Sequence, residues 1–277
     1  MSISDNTASS QSEVPAIHPT AIVERGAEIG AGVEIGPYAV IGSEVVLHDR
    51  VKIAAHVVIA GKTEIGSESQ IFPFASLGQA PQDRKYRGED SRLIIGSGNV
   101  IREYVTMNPG TEQGGYITRI GNNGLFLTGA HVAHDCQIGN NVLLVNNATL
   151  GGHCMVEEFA SVGGLSAVHQ FVRIGAYSFI GGMSGVENDV IPFGIVLGNR
   201  AHLAGLNIVG MKRHNFDREQ IHNLRKAYRM LFATEGTLVE RLEDVVKMFS
   251  DDPHVQRIVN FVKADSSRSL CVPRENG

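Results

Sequence analysis

The stretch IGAGVEIGPYAVIGSEVVLHDRVKIAAHVVIAGKTEIG, residues 29–66, carries an aliphatic side chain at every sixth position. The residue four places after each aliphatic one is small or β-branched, as at Val33, Ala39 and Val45. A period of six fits neither an α-helix, which repeats every ~3.6 residues, nor an open strand, which repeats every ~2. It fits a triangular coil whose three sides each contain six residues. In such a coil the aliphatic side chains point inward and the small residues occupy the space near the corners.

The repeat extends in both directions from this stretch. It begins at Ile17, runs to Leu77, resumes at Ile95, shifts by one residue and continues from Ile120 to Val186. We therefore predict an all-β fold, a parallel β-helix with 18 residues per turn. Residues 78–94 and 108–119 break the pattern and are predicted to be loop excursions. The first is expected to span a whole coil, because Leu77 and Ile95 lie 18 positions apart.

The two ends of the chain differ from the repeat. Residues 1–14 are polar and Ser-rich, which predicts a disordered tail and no signal peptide. Residues 15–206 are assigned to the β-helix. Residues 207–277 are assigned to a small helical domain, with amphipathic segments at 217–234, 238–249 and 254–262. This domain is expected to close one end of the prism and cover an open strand edge.

Composition excludes several classes of protein. A net charge of −5 argues against broad nucleic-acid binding, and no apolar run reaches the ~20 residues of a transmembrane helix. Three cysteines argue against a disulfide framework and for a reducing cytoplasm. Cys136 and Cys154 both fall on the small inward position, which predicts packed core thiols and not nucleophiles or metal ligands.

An 18-residue turn predicts which side chains stack from coil to coil. His134 aligns with Gly152 and Gln170, and Asp135 aligns with His153 and Phe171. His131 and His169 lie beside these columns, so several histidines converge on one patch. Histidine can act as a base near neutral pH, since its ordinary pKa is about 6.5. The alternative for any single histidine is a surface side chain that hydrogen-bonds across coils.

Three motifs extend this patch into a recognisable pattern. AHVAHDC at 130–136, NNATLGGH at 146–153 and AVHQF at 167–171 resemble the bacterial UDP-N-acetylglucosamine O-acyltransferases of lipid A synthesis. The segment QDRKY at 82–86, the pair Gly181–Gly182 and residues 207–213 extend the resemblance over nearly the whole chain. The resemblance implies a left-handed helix, which period alone does not give.

The resemblance also implies a reaction and its residues. An (R)-3-hydroxyacyl group moves from acyl carrier protein to the sugar 3-hydroxyl, with His134 as general base and the Gly152 N–H as oxyanion donor. Asp135 is expected to help hold His134. The residues that match the family's substrate contacts are Gln82, Asp83, Lys85, His131, His153, His169, Gln170, Asn207 and Arg213.

Further expectations follow from the same resemblance. Gly182 matches the position that sets acyl length, with Phe179 nearby. The loop that holds Asp83 is expected to reach a neighbouring subunit of a cytoplasmic homotrimer, and a basic run including Lys212 and Arg225 is expected to receive acyl carrier protein. No metal or other cofactor is expected, since the acyl donor carries its own phosphopantetheine. Val209 and His214 depart from the pattern at the nucleotide end.

Other readings of the sequence remain open at this point. Some relatives acylate a 3-amino sugar and form an amide. A later N-acyltransferase of the pathway has an extra N-terminal domain, whereas here the repeats begin at Ile17. A trimeric carbonic anhydrase of the same fold uses a histidine pair five residues apart, whereas His131 and His134 are three apart. A non-catalytic scaffold protein is the last alternative.

Overall fold

The computed structural model describes residues 14–274, which fold into a three-sided parallel β-helix followed by helices. Each side is one sheet of very short strands, and each coil adds one strand to every sheet. Most strands have two residues, the aliphatic residue of the repeat and the residue before it.

We name the sheets A, B and C in the order in which the chain enters them. Sheet A contains β1 (Ala16–Ile17), β4 (Glu34–Ile35), β7 (Lys52–Ile53), β10 (Gln70–Ile71), β13 (Val100–Ile101), β16 (Leu125–Phe126), β19 (Leu143–Leu144), β22 (Ser161–Val162), β25 (Phe179–Ile180), β27 (Gly194–Leu197) and β28 (His202–Leu206). Sheet B contains β2 (Ile22–Val23), β5 (Val40–Ile41), β8 (Val58–Ile59), β11 (Ser76–Leu77), β14 (Thr106–Met107), β17 (His131–Val132), β20 (Thr149–Leu150), β23 (Ala167–Val168) and β26 (Gly185–Val186). Sheet C contains β3 (Glu28–Ile29), β6 (Val46–Leu47), β9 (Lys62–Ile65), β12 (Arg92–Ile95), β15 (Ile117–Ile120), β18 (Gln137–Ile138), β21 (Met155–Val156) and β24 (Arg173–Ile174).

The aliphatic positions form the core, as predicted. Ile35 pairs with Ile17 on one side and Ile53 on the other, so equivalent residues of successive coils lie in register. The small residues near the corners, such as Val33 and Ala39, are fully buried. Buried Cys136 and Cys154 also occupy this position, which confirms them as core thiols. The predicted hexapeptide-repeat β-helix with a small helical C-terminal part is therefore confirmed.

Both excursions leave the prism at the corner between sheets B and C. Ile65 pairs with Ile95, 30 positions on, so the first excursion inserts twelve residues and the stacking resumes directly above. The prediction that it spans a whole coil was wrong: Leu77 and Ile95 end strands on different sides, so their spacing of 18 does not measure one turn. The second excursion inserts seven residues, because Ile95 pairs with Ile120. This insertion produces the one-residue shift in the repeat.

Within residues 14–274, four α-helices follow the β-helix. They are α1 (Ile208–Arg213), α2 (Arg218–Leu231), α3 (Leu238–Met248) and α4 (Pro253–Lys263). Asp217 and Thr237 cap α2 and α3 with capping boxes, and Asp252 caps α4 ahead of Pro253. The second to fourth helices match the predicted segments to within a few residues, whereas α1 was not predicted. No helix among residues 14–274 is long and apolar enough to cross a bilayer.

The helices are attached to the prism at its last coils. Arg257 of α4 forms ion pairs with Glu157 and Glu158, and β28 pairs antiparallel with β27 at the end of sheet A. The strands end at Leu206 and α1 begins at Ile208, while the predicted division into domains stays a prediction. Of the predicted N-terminal tail, residues 1–13 lie outside the described part of the chain.

Candidate active site

The predicted histidine patch lies at the corner between sheets B and C, directly above both excursions. The turn after β17 supplies His134 and Asp135, the turn after β20 supplies Gly152 and His153, and the turn after β23 supplies Gln170 and Phe171. The His153 ring stacks on Phe171 at 4.4 Å between centroids and meets the His134 ring edge-on at 5.1 Å. The structure thus brings the two predicted columns together.

His134 and Asp135 form a hydrogen-bonded pair although they are neighbours in sequence. The His134 Nδ1 lies 2.7 Å from the Asp135 Oδ2, and the two side chains are 13% and 1% exposed. Asp135 has a φ of +63°, and this left-handed turn at the corner accompanies the arrangement. Because the carboxylate only accepts hydrogen bonds, Nδ1 carries the proton and Nε2 keeps its lone pair. His134 is therefore held in the tautomer that a general base requires.

Asp135 is held by two threonines, Thr111 in the second excursion and Thr118 in β15. The Thr111 N–H donates to its Oδ1 at 2.7 Å and the Thr111 hydroxyl donates to its Oδ2 at 2.6 Å. The Asp135 N–H donates to the Thr118 hydroxyl at 2.7 Å. Burial raises the pKa of Asp135, but hydrogen bonds from His134 and Thr111 outweigh it and lower the pKa below its ordinary value. Asp135 is thus an anion held in a fixed position beside His134.

Two further histidines of the patch, His131 and His153, favour their neutral forms. Burial lowers the pKa of His131, whose Nδ1 lies 2.7 Å from the Thr106 hydroxyl, and His134 lowers it further. Burial also lowers the pKa of His153, and this outweighs the opposite effect of Asp135, 3.6 Å from its Nε2. Neutral imidazoles near neutral pH can both donate and accept hydrogen bonds with a polar ligand.

The first excursion brings charged residues to the same corner within one chain. The Lys85 N–H donates to the Asp83 carboxylate at 3.0 Å, and the Lys85 Nζ donates to Gln113 in the second excursion at 2.9 Å. Both charges affect His153: Asp83 raises its pKa and Lys85 lowers it. The predicted ligand residues Asp83 and Lys85 therefore lie near the histidines, with Gln82 exposed beside them.

Gly152 lies against the imidazole of His134. A Cβ at this position would meet the ring atoms Cε1, Nε2 and Nδ1 at 2.6, 2.8 and 3.1 Å, so only glycine fits without moving the ring. Among residues 14–274 nothing accepts a hydrogen bond from the Gly152 N–H. Other corner residues, such as Gly164, share that property. Its position beside His134 is what distinguishes Gly152.

His169 and Gln170 lie one coil further on and are exposed. They contact Arg268 from the C-terminal end of the chain: the Arg268 Nη2 lies 2.6 Å from the His169 Nδ1, and its Nε donates to the Gln170 carbonyl at 3.1 Å. Nothing in the repeat pattern indicated this contact.

Within a single chain, the four remaining predicted residues lie in other parts of the fold than the histidine patch. Exposed Gly182 is at the corner between sheets A and B, and Phe179 is 38% exposed on sheet A. Asn207 caps α1, where its side chain accepts from the Gly210 N–H and donates to the Tyr177 carbonyl. Arg213 is exposed in the last turn of α1. His214, which departs from the family pattern, packs edge-on against the rings of Phe159 and Tyr177.

Three residues of this patch lie close enough together to be considered as ligands of a metal ion. His134, Asp135 and His153 offer ligand atoms within 4.8 Å of one another. Two of those groups already bond each other, and both Asp135 oxygens accept from Thr111. The arrangement thus favours proton transfer by His134.

Sequence reasoning missed Thr111, Thr118 and Arg268. A usable signal existed for the threonines, since they lie in a glycine-rich interruption of the repeat that adjoins the histidine column. Arg268 gave none, because it lies 99 positions from His169.

We expect Thr111→Val to lower kcat by about tenfold or more, because one donor to Asp135 is lost and the carboxylate beneath His134 is less well fixed. Thr111→Ser keeps the hydroxyl and should retain most of the activity. Steady-state kinetics compares the two variants, and equal rates in both would contradict the role of the hydroxyl.

The same pair tests a pH effect on stability. The lowered pKa of folded Asp135 contributes stability that is present above the unfolded pKa of about 3.9 and is lost as pH falls through the folded pKa. Thr111→Val should raise the folded pKa, so the variant should lose less stability than the wild type between pH 6 and pH 3. Urea unfolding of both proteins across that range measures the loss of unfolding free energy, and an equal loss in the two would contradict the prediction.

The chain matches two family models. Residues 189–271 match the model described as Udp N-acetylglucosamine O-acyltransferase, Domain 2, and residues 26–61 match that of the bacterial transferase hexapeptide, six repeats.

Individual proteins match over nearly the whole chain. The acyl-(acyl-carrier-protein)–UDP-N-acetylglucosamine O-acyltransferase of Methylobacterium radiotolerans is 59% identical over 261 residues, 94% of this chain and 96% of the relative. The protein of that name from Caulobacter vibrioides is 50% identical over 93% and 98% of the two chains. Among solved structures, UDP-N-acetylglucosamine acyltransferase from Campylobacter jejuni superposes with a TM-score of 0.88 at 38% identity, covering 93% of this chain and 100% of the other.

Proposed function

The chain belongs to the acyl-(acyl-carrier-protein)–UDP-N-acetylglucosamine O-acyltransferase family, and from this premise we propose how its residues carry out the reaction. The enzyme transfers an acyl group from acyl carrier protein to UDP-N-acetylglucosamine in lipid A biosynthesis. We propose that the acyl group is (R)-3-hydroxyacyl and that the acceptor is the sugar 3-hydroxyl. The hydrogen-bonded pair of His134 and Asp135 is the observation that carries the mechanism.

His134 acts as general base in this proposal. Its Nε2 accepts the proton of the sugar hydroxyl while the hydroxyl oxygen attacks the thioester carbonyl carbon. The resulting tetrahedral oxyanion collapses, the C–S bond breaks, and the leaving sulfur takes the proton back from His134. The products are an ester and the free thiol of acyl carrier protein. A positioned base of this kind contributes about 10²–10⁴ in rate.

Asp135 orients the base and stabilises its charged form. Its Oδ2 accepts the Nδ1 proton throughout the cycle, and its negative charge favours the imidazolium that exists while the proton is on His134. Its lowered pKa keeps it ionised at neutral pH.

The Gly152 N–H serves as oxyanion donor in the same proposal. It is free of protein acceptors among residues 14–274 and belongs to the residue that contacts the His134 ring. A donor at this place can bond the carbonyl oxygen as it becomes negative, next to the hydroxyl that His134 deprotonates. One such donor contributes about 10²–10³ in rate.

The surrounding polar residues bind the substrates. Lys85 supplies a cation suited to an anionic sugar nucleotide, and Asp83, His131 and His153 supply hydrogen-bonding groups around it. Gln82, His169, Gln170, Asn207 and Arg213 complete the proposed set. The chemistry needs no metal or cofactor beyond the phosphopantetheine of the acyl donor.

A homotrimer is supported by an exposed ring column at the corner between sheets A and B. Tyr38, His56, Phe74 and Tyr104 stack with centroids 5.0–5.2 Å apart, and the three larger rings are 47–59% exposed. Such a column suits burial against other subunits. The exposed basic residues on α1 and α2 suit an acidic acyl carrier protein, and they are Lys212, Arg213, Arg225 and Arg229. The three cysteines are free, which suits a cytoplasmic enzyme.

The alternatives gain no support from the relatives. Their names specify O-acyl transfer to UDP-N-acetylglucosamine, which favours neither the 3-amino sugar nor carbonic anhydrase chemistry.

The reaction is tested with purified protein, UDP-N-acetylglucosamine and a series of (R)-3-hydroxyacyl-carrier proteins, with product identified by mass spectrometry. An ester of the sugar nucleotide is expected. If no donor gives this ester and the 3-amino sugar nucleotide is acylated instead, the acceptor is an amine and the proposed hydroxyl acceptor is wrong.

Acyl length is tested at Gly182. The position is open, since a Cβ there meets only the Gly164 carbonyl oxygen, at 3.3 Å. We expect Gly182→Met to shift the preferred donor to a shorter chain by several carbons, because the side chain fills the space at the end of the acyl group. Competition between donors of different length measures the shift, and an unchanged preference contradicts the assignment. Met183→Leu, at the exposed neighbour, is the control.

A further inference from the structure

The C-terminal segment, residues 264–272, runs back along the β-helix from the end of α4 and is tied to Asp189. The Asp189 carboxylate is fully buried and accepts hydrogen bonds from Ser266 and Arg173. The Asp189 N–H donates to the Ser269 carbonyl, and the Cys271 N–H donates to the Asp189 carbonyl. The segment is therefore anchored on both sides of Arg268.

Arg268 reaches from this segment to the edge of the active-site corner. Its Nη2 lies 2.6 Å from the His169 Nδ1 and its Nε donates to the Gln170 carbonyl at 3.1 Å. A guanidinium has donors only, so the His169 Nδ1 must accept and the ring proton must lie on Nε2. The 3.2 Å contact between that Nδ1 and the Gln170 carbonyl then joins two acceptors and is not a hydrogen bond.

We propose that Arg268 is a positioning residue, which fixes His169 in its Nε2–H tautomer so that this exposed side chain donates to an acceptor oxygen of the bound substrate. The inference rests on the proposed function, which makes His169 a substrate contact. Without Arg268 the proton can move to Nδ1, where the Gln170 carbonyl would accept it, and Nε2 becomes an acceptor that no longer matches the substrate oxygen.

The anchoring of the segment does not depend on Arg268. Ser266, Ser269 and Cys271 make the bonds to Asp189, and the Leu203 N–H donates to the Val272 carbonyl. Arg268→Met should therefore leave the segment in place, so that the change is confined to His169 and Gln170.

The test compares Arg268→Met with Arg268→Lys, which keeps a charged donor, and with Arg274→Met, which removes an exposed cation from the same end of the chain. Solid-state ¹⁵N spectra of histidine-labelled enzyme report which ring nitrogen of His169 carries the proton, with the signals assigned by their loss in His169→Gln. We expect an Nε2–H form in wild type and in Arg274→Met, and an added or dominant Nδ1–H form in Arg268→Met. The KM for UDP-N-acetylglucosamine should rise about tenfold in Arg268→Met, with kcat within about twofold and partial recovery in Arg268→Lys.

Three results overturn the proposal. Identical His169 spectra in wild type and Arg268→Met contradict the tautomer assignment whether or not the enzyme is active on UDP-N-acetylglucosamine. A changed spectrum with an unchanged KM contradicts the role in binding. In the His169→Gln background Arg268→Met should have no further effect on KM, and a full additional rise contradicts action through His169.

Discussion

His134→Ala is expected to lower kcat by about 10²–10⁴ while the KM values change little, because the variant removes the proposed general base, which would accept the hydroxyl proton in the transition state. The residual rate comes from binding and from the proposed oxyanion donor at Gly152. Single-turnover measurements with saturating acyl carrier protein substrate isolate the chemical step from product release.

The control for that variant is His222→Ala, which removes an exposed histidine from α2. It should keep wild-type kinetics and thermal stability. A His134→Ala enzyme within about tenfold of wild type would show that another group takes the proton, since general base catalysis by itself contributes more than this.

Gly152→Ala is expected to lower kcat by about a hundredfold or more. The added methyl would lie 2.6 Å from the His134 Cε1 and 2.8 Å from its Nε2, so the ring or the corner must shift. A displacement of ~1 Å at a reacting group can by itself cost about 10² in rate. Steady-state kinetics combined with thermal unfolding separates this effect from loss of the fold.

The matched control is Gly42→Ala in an early coil. A Cβ there meets its nearest atoms at 3.4 Å, an ordinary contact, and the residue lies several coils from the histidine patch that contains His134. It should be close to wild type in activity. Nearly normal turnover in Gly152→Ala would contradict the close approach of the glycine to the base as a requirement for catalysis.

The sequence predicted the stacking because the stacking is periodic. Once 18 residues make a turn, the alignment of His134 with Gly152 and of Asp135 with His153 follows from arithmetic on positions, and the structure has these residues at one corner. The inward placement of Cys136 follows in the same way.

The contacts that orient the site were not predictable by the same reasoning. The left-handed turn at Asp135 is itself periodic and recurs six and eighteen residues on, at Asn141 and His153. The period does not specify, however, that the neighbouring side chains of His134 and Asp135 bond each other. Thr111 reaches Asp135 from an insertion that has no period, and Arg268 reaches His169 from the far end of the chain. The first helix, α1, has six residues including Gly210 and is too short to give a helical pattern.

The direct pairing of Ile65 with Ile95 across twelve added residues has a consequence for how this fold can evolve. An insertion at a corner leaves every pair of stacked strands unchanged, so new chain can appear there in a single genetic event without a redesigned core. The two insertions carry Asp83, Lys85 and Thr111, so both supply the histidine corner. Length differences among descendants of such a protein should therefore collect at the corners, and changes of substrate should accompany them.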